Sequence, residues 1–405
     1  MSLTKYNNIS QLITLKNAFH KDGRLLKPSD LSIIEDGTIV FDDKQIHWVG
    51  KTKNTPIQYK NTPSISMLEK TVTPEIIDSH THLVFAGNRS NEYSMRLNGA
   101  DYEEIAIAGG GILSTMEATK NASKSELFET AKLRINEIHS YGVGTIEIKS
   151  GYGLTFEKEE EISLIINDLK KHFFPNVQII NTYMAAHAIP KTFSSSKDYM
   201  NEVVLPLLEK LSTMKIIDCV DIFYEKNYFD KNDVLSLSDK ANQYNLKLKI
   251  HGDEFNDNSG GSLAAKLNAV SVDHLLKVSD KSIYELSQSK TVATLLPGTG
   301  YFLGKEQCNA RKLLDAGVKV SIASDYNPGS CHFNNVLFLA TLAAPNYKMN
   351  ICEMWAAITL NAAHSLGLKN QGALITGQAS RFSIFDSKNI ENINYFWGKN
   401  FNSSL

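Results

Sequence analysis

Cysteine is scarce in this chain: four in 405 residues, at Cys219, Cys308, Cys331 and Cys352, with no Cys-x-x-Cys pair among them. That spacing excludes a disulfide framework and a thiolate zinc motif, and it suits a reducing, cytoplasmic setting. Basic charge is not in excess either. With 42 Lys and Arg against 44 Asp and Glu, the formal net charge is −2. No lysine and arginine cluster offers the phosphate contacts that a nucleic-acid partner requires. No apolar run approaches bilayer length, and the opening MSLTKYNNIS lacks the basic and then apolar pattern of a secretory leader. Neither a membrane partner nor export is expected.

What is present falls into two rhythms. From Leu12 to about Val72 the chain reads as short extended pieces, LITLKNAF, LSIIEDGTIVF and QIHWVG, punctuated by glycine and proline. A run of the same character, ALITGQASRFSIFDS, starts at Ala373. The two ends are expected to form one small β-sandwich unit, residues 1–72 with 370–405. Between them, over residues 73–369, apolar strands alternate with amphipathic helices. The strand candidates are Ile76–His80, Val143–Lys149, Gln178–Ala185, Asp218–Phe223, Leu246–His251, Val270–His274, Thr291–Leu296 and Val320–Asp325. Eight such repeats predict a (β/α)8 barrel, because parallel strands joined by helical crossovers are buried on both faces. A doubly wound sheet is the alternative. Reactive side chains follow the carboxyl ends of the strands, the rim on which barrels carry their chemistry.

The first strand runs into IIDSHTHLVFAG. Residues two apart on an extended strand share a face, so His80 and His82 can reach one point, and two imidazoles suit a borderline divalent metal. His251, in HGDEF after the fifth strand, supplies a third imidazole; alone it would read as an ordinary satisfied histidine. Asp325, in ASDYNPGS after the eighth strand, reads either as a turn-forming aspartate or as a carboxylate ligand brought beside strand one by barrel closure. Glu254 lies where a loop can aim it at metal-activated water as a proton acceptor, or it is a solvated surface residue. His274, ending the sixth strand, can steady the attacking water or an oxyanion, or simply bond a neighbouring loop. The triple glycine Gly109–Gly111 lacks the Walker lysine and dinucleotide spacing and is expected to be a flexible loop at the barrel mouth. The acidic run Glu157–Glu161 suits a helix start.

With His-Thr-His, these later histidines and the aspartate together, the chain resembles the amidohydrolase superfamily, metal-dependent hydrolases on (β/α)8 barrels with a flanking β-sandwich. Within it the stretches HTHLVFAGNRSNEY, GADYEEIAIAGGGILSTMEAT, GTIEIKSGYGL, AAHAIP, HGDEF and DYNPGS are similar to those of the imidazolonepropionases, from about Leu12 to Asp386. The resemblance implies metal ligands at His80, His82, His251 and Asp325, for one divalent or trivalent ion, zinc or iron. It implies Glu254 as the water-activating carboxylate and His274 as a second catalytic histidine, with Asp325 sharing in proton transfer. It also implies substrate contacts at Arg89, Tyr152, His187 and Ser330, and product contacts at Asn327 and Gly329.

The reaction so implied is hydrolytic opening of 4-imidazolone-5-propanoate to N-formimidoyl-glutamate, in histidine breakdown. Arg89 offers a planar fork for the propionate, although a solvated loop arginine reads the same way. The glycines around Tyr152 read as close backbone approach to a ligand or as a tight turn. Two departures from the family pattern stand out: Pro74-Glu75 where Pro-Gly is expected, and Ser324-Asp325-Tyr326 where Thr-Asp-Phe is more usual. Some relatives in the superfamily bridge two metals with a carbamylated lysine on the fourth strand. Lys149 ends the second, so one metal is expected. A homodimer is the base-rate assembly. The rival readings are hydrolysis of another cyclic amide or amidine and, remotely, an inactive barrel serving in an assembly.

Overall fold

The computed structural model describes residues 2–100, 104 and 110–403. Strands β1 (Thr4–Ile13), β2 (Ile33–Phe41), β3 (Ile46–Lys51), β4 (Ser64–Ser66), β5 (Thr71–Pro74) and, from the far end of the chain, β14 (Phe382–Phe385) form one six-stranded sheet. Its order is β14-β5-β1-β2-β3, with β4 beside the start of β1. Ile9, Leu12, Ile39, Val72, Leu374 and Ile384 make its own apolar core. The two chain ends therefore meet in one β unit, as expected.

The second sheet is the barrel. It comprises β6 (Ile76–Asp78), β7 (Val143–Lys149), β8 (Gln178–Ala186), β9 (Cys219–Tyr224), β10 (Lys247–Gly252), β11 (Ser271–His274), β12 (Val292–Leu295) and β13 (Lys319–Ile322), each parallel to the next. All eight expected strands are present, β7 with the expected ends and the others with one or both ends shifted by one to three residues. Alternation explains them: in β7, Ile146 and Ile148 join the apolar layer shared with the surrounding helices, which leaves Thr145, Glu147 and Lys149 on the opposite, interior face. Beyond the last ladder residues the sheet closes, for Asp325 N–H donates to His80 O (3.0 Å) and His82 N–H to Tyr326 O (2.9 Å).

Helices separate the strands, and several start on side-chain caps. Ser123 accepts from Glu126 N–H ahead of Lys124–Ser140, Thr155 from Lys158 N–H ahead of Phe156–Phe173, and Asp230 from Asp233 N–H ahead of Lys231–Gln243. The helical stretch over 196–213 passes through a π-turn at Met200–Val204, two residues before Pro206, which has no N–H to offer the preceding turn.

Two local readings need correction. In LITLKNAF the strand ends at Ile13; a left-handed Leu15 (φ 52°) turns the chain into the short helix Lys16–His20. Strand β1 begins eight residues before Leu12, its polar TKYNNISQ masking the extended backbone. The stretch PGTGYFL, too rich in glycine and proline to suggest it, is the helix Pro297–Leu303.

The unexpected Glu75 has a clear place. It lies between β5 and β6, and its carboxylate takes Arg381 Nη2 at 2.7 Å, Arg381 Nε at 2.8 Å and Thr145 Oγ1 at 2.6 Å. Gly144 makes the room, since a Cβ there would stand 1.9 Å from Glu75 Oε1. Arg381 also donates to Gly144 O (2.8 Å), so the pair staples the small sheet to the barrel floor. Glu75→Ala leaves that guanidinium without its counter-ion and is expected to cost about 3 kcal/mol of stability. Chemical denaturation checks this; an unchanged midpoint would contradict the staple.

Candidate metal centre and active site

The extended backbone past β6 carries His80 and His82, β10 carries His251, and all three rings are buried at the barrel mouth. Their ligand atoms lie within 4.8 Å of one another. Asp325 Oδ1 is 3.6 Å from His80 Nε2 and 3.8 Å from His82 Nε2, and the other oxygen accepts from Thr299 Oγ1 at 2.6 Å. His80 Nε2 and His82 Nδ1 are buried with no hydrogen-bond partner among the described residues. Leaving a buried polar atom unpaired is costly, so His80 Nε2, which faces Asp325 Oδ1 together with His82 Nε2, fits a ligand that the chain itself does not supply. Burial, then the positive charge of Lys149 and neighbouring imidazoles, pushes His80 well below the ordinary histidine value; burial, then His187 and His251, does the same to His82. Neutral imidazole is the form that binds metal. Three imidazoles and a carboxylate fit a zinc or iron ion.

Glu254 and His274 flank this cluster, with His274 Nδ1 3.6 Å from Glu254 Oε1. Burial first, then the Asp325 and Glu225 charges, raises the Glu254 carboxyl well above its ordinary range, while burial lowers His274. Glu225 holds the loop beyond Glu254 by accepting from Phe255 N–H (2.8 Å) and from the side-chain amides of Asn256 (3.0 Å) and Asn258 (2.7 Å). Asp253, His274 and Asp325 all take positive φ, at 54°, 80° and 52°. Strained backbone of this kind at strand ends aims side chains and concentrates at functional sites.

A cavity of about 430 Å³ opens above the cluster, lined by His82, His251, Glu254, His274 and Asp325 together with Arg89, Tyr152, His187, Asn327, Gly329 and Ser330. Of the ligand, catalytic and substrate-contact residues expected from the sequence, His80 alone is not in that lining. His187 stacks on His82, ring centroids 5.2 Å apart and 16° from parallel. Its Nδ1–H donates to Gly151 O (3.0 Å) and burial lowers its pKa to about 4, so at neutral pH Nε2 is an acceptor. Arg89 is held by Glu92 at 2.7 and 2.8 Å, and the absence of a side chain at Gly329 leaves room for Nη1, which would stand 1.9 Å from a Cβ there. Asn327 Oδ1 accepts from the N–H groups of Gly329 and Ser330, both at 2.8 Å, an Asx-type turn that shapes the rim. The glycines around Tyr152 make room for protein: Gly151 (φ 124°) packs on Met184 and His187, and Gly153 on Glu159. Glu159, in the acidic helix start, accepts from Gly153 and Leu154 N–H to fix that turn. Gly109 and most of the DYEEIAIAG stretch lie outside the described residues.

A model of the amidohydrolase family matches residues 225–403. The imidazolonepropionase of Bacillus velezensis is 37% identical over 98% of this chain and 94% of its own; that of Bdellovibrio bacteriovorus is 36% identical over 94% and 89%. The chain belongs to the imidazolonepropionases of the amidohydrolase family. Among solved structures, a mutant atrazine chlorohydrolase from Arthrobacter aurescens, complexed with zinc and atraton, superposes with a TM-score of 0.75 at 14% identity, over 99% of this chain and 93% of the other. A guanine deaminase from C. acetobutylicum with bound guanine gives 0.69 at 16%, over 97% and 92%. Those two likenesses concern the fold.

Sequence reasoning missed the layer beneath the family's histidines. Asp273 accepts from His80 Nδ1 (2.6 Å) and Asp221 from His251 Nδ1 (3.1 Å). Lys149, weighed as a metal bridge, instead sits in ion pairs with Asp221 (2.6 Å) and Glu147 (2.8 Å). The available signal was a charge every second residue inside otherwise apolar strands, as in GTIEIK and LKLKI. Thr299 had no signal, because its helix was not expected. Metal that binds only the folded state raises the melting temperature, by about 2.7 kcal/mol of stability at a hundredfold excess over Kd. Adding zinc to chelator-treated protein is therefore expected to shift its melting curve upward, and His251→Ala to lose that shift.

Proposed function

We propose that this chain hydrolyses the ring amide C–N bond of 4-imidazolone-5-propanoate to N-formimidoyl-L-glutamate, a step of histidine degradation. The observation that carries the proposal is the convergence of His82, His251, Asp325, Glu254 and Arg89 on one cavity in a chain of this family. His80, His82, His251 and Asp325 would hold one metal ion, and their nitrogen and oxygen donors suit zinc and iron alike. When bound, such an ion supplies Lewis acidity toward the ring carbonyl and toward water.

The protein's own groups do the rest. Arg89, steadied by Glu92, takes the propionate, and His187 Nε2 accepts from a ring N–H while Tyr152 closes the side of the cavity. Glu254 takes a proton from the attacking water as its oxygen adds to the carbonyl carbon. His274, beside Glu254, steadies the tetrahedral oxyanion together with the Asp325 side of the site. Glu254 then returns the proton to the ring nitrogen as the C–N bond breaks, leaving a carboxylate and the formimidoyl amine. Asn327, Gly329 and Ser330 shape the rim that receives the opened product. The protein acts in the cytoplasm, consistent with four buried unpaired thiols, and as a homodimer, the commonest closed assembly. Its barrel domain spans residues 73–369 and its composite β domain the two ends.

Metal-replete protein mixed with fresh 4-imidazolone-5-propanoate should consume the ring chromophore and release formimidoyl-glutamate. Turnover of a different cyclic amide or amidine, and none of this one, would overturn the assignment. Glu254→Gln is expected to lower turnover by roughly 10²–10⁴-fold with metal retained. The raised Glu254 carboxyl sets the pH dependence. Its base form is lost as pH falls through a value above the ordinary glutamate range, so the acid limb of kcat/KM should lie above about 4.5. A limb at or below that value would contradict Glu254 as the base.

A further inference from the structure

Beneath the cavity, inside the barrel, five charged side chains are sealed from solvent: Glu147 and Lys149 on β7, Asp221 on β9, Lys249 on β10 and Asp273 on β11, none more than 1% exposed. They form two relays that are cross-linked, since Lys149 Nζ also lies 3.9 Å from Asp273 Oδ2. Lys149 Nζ is 2.6 Å from Asp221 Oδ2, and Asp221 Oδ1 accepts from His251 Nδ1 at 3.1 Å. Lys249 Nζ is 3.5 Å from Asp273 Oδ2, which accepts from His80 Nδ1 at 2.6 Å. Glu147 Oε2 joins the two, 2.8 Å from Lys149 and 3.2 Å from Lys249. Lys249 also donates to Ser79 O at 3.0 Å, the carbonyl next to His80.

The chemistry of each relay has one direction. A carboxylate can only accept, so the proton of each imidazole sits on Nδ1 and the Nε2 lone pair is left for the cavity side. His80 Nε2 indeed has no partner among the described residues. Stability alone does not account for the cluster, because apolar side chains of similar volume commonly serve a barrel core as well as buried ions do. An outer carboxylate that orients a metal-bound histidine does account for it, and among the described residues the two lysines are the cations paired with those carboxylates.

We propose that Lys149, acting through Asp221, positions His251 as a metal ligand, and that Lys249 does the same for His80 through Asp273. The inference rests on the metal reading above. These are positioning residues; neither lines the cavity.

Zinc affinity, measured by competition with a chromophoric chelator, tests it in wild type, Lys149→Met, Asp221→Asn and the double variant, alongside melting of the metal-free proteins. Each single change is expected to weaken zinc binding by roughly 10–100-fold. The double variant, which removes one charge of each sign, should bind zinc within about twofold of Asp221→Asn. Unchanged zinc affinity in Lys149→Met, with only its metal-free melting point lowered, would reduce the cluster to structure and overturn the proposal. Losses that multiply in the double variant would show Lys149 acting by another route and overturn it too. If Lys149→Met does not fold, Asp221→Asn against the double variant decides: equal affinities support the relay, a further loss of about tenfold refutes it. Wild type that binds no zinc or iron would overturn the metal reading itself, an outcome distinct from wild-type binding that Lys149→Met leaves intact.

Discussion

Two backbone hydrogen bonds close the barrel mouth, and the site depends on them. Asp325 N–H donates to His80 O and His82 N–H to Tyr326 O, so the first and last strands continue side by side past their ladders. That seam alternates the residues that matter, His80 and His82 on one side and Asp325 on the other. A slip of one residue would turn the Asp325 carboxylate to the opposite face and separate it from both imidazoles. The left-handed backbone at Asp325 completes the aim, and Thr299 from the neighbouring helix holds its second oxygen.

Electrostatics then divides the interior into two layers. Above, burial keeps His80, His82, His187 and His274 neutral and keeps a proton on Glu254 to unusually high pH. Groups so poised are what ligation and proton transfer require near neutrality. Below, permanent charges are paired among themselves, and their carboxylates face the Nδ1 atoms of two of the histidines. The small sheet stands apart from this chemistry, joined to the barrel floor through Glu75 and Arg381. Of the two departures from the expected pattern, Glu75 thus makes a structural contact with Arg381 and Thr145.

Much of this was readable from residues alone, for identifiable reasons. The eight strands announce themselves because a parallel barrel buries both faces and leaves short apolar runs between amphipathic helices. His-Thr-His is readable because period two is the simplest rule of a strand. Less visible were features created only by tertiary contact. Asp221 and Asp273 sit in CVDIFY and SVDH as single charges, and nothing local says that each faces a histidine from another strand. The protein contacts of Gly329 and of the glycines beside Tyr152 were hidden for the same reason: the groups they accommodate, Arg89, His187 and Glu159, are remote in sequence or lie across a turn. Positive φ at His274 and Asp325 leaves only a weak signature in residue type, since histidine and aspartate are enriched there but seldom adopt it.

The most direct measurement is X-ray absorption at the metal edge, combined with metal counting, on protein loaded with zinc or iron. One ion per chain, with three imidazoles and oxygen ligands in its first shell, is the predicted result. Two ions per chain, with a ligand arising from Lys149, or a single ion bound by fewer than two imidazoles, would contradict the centre described.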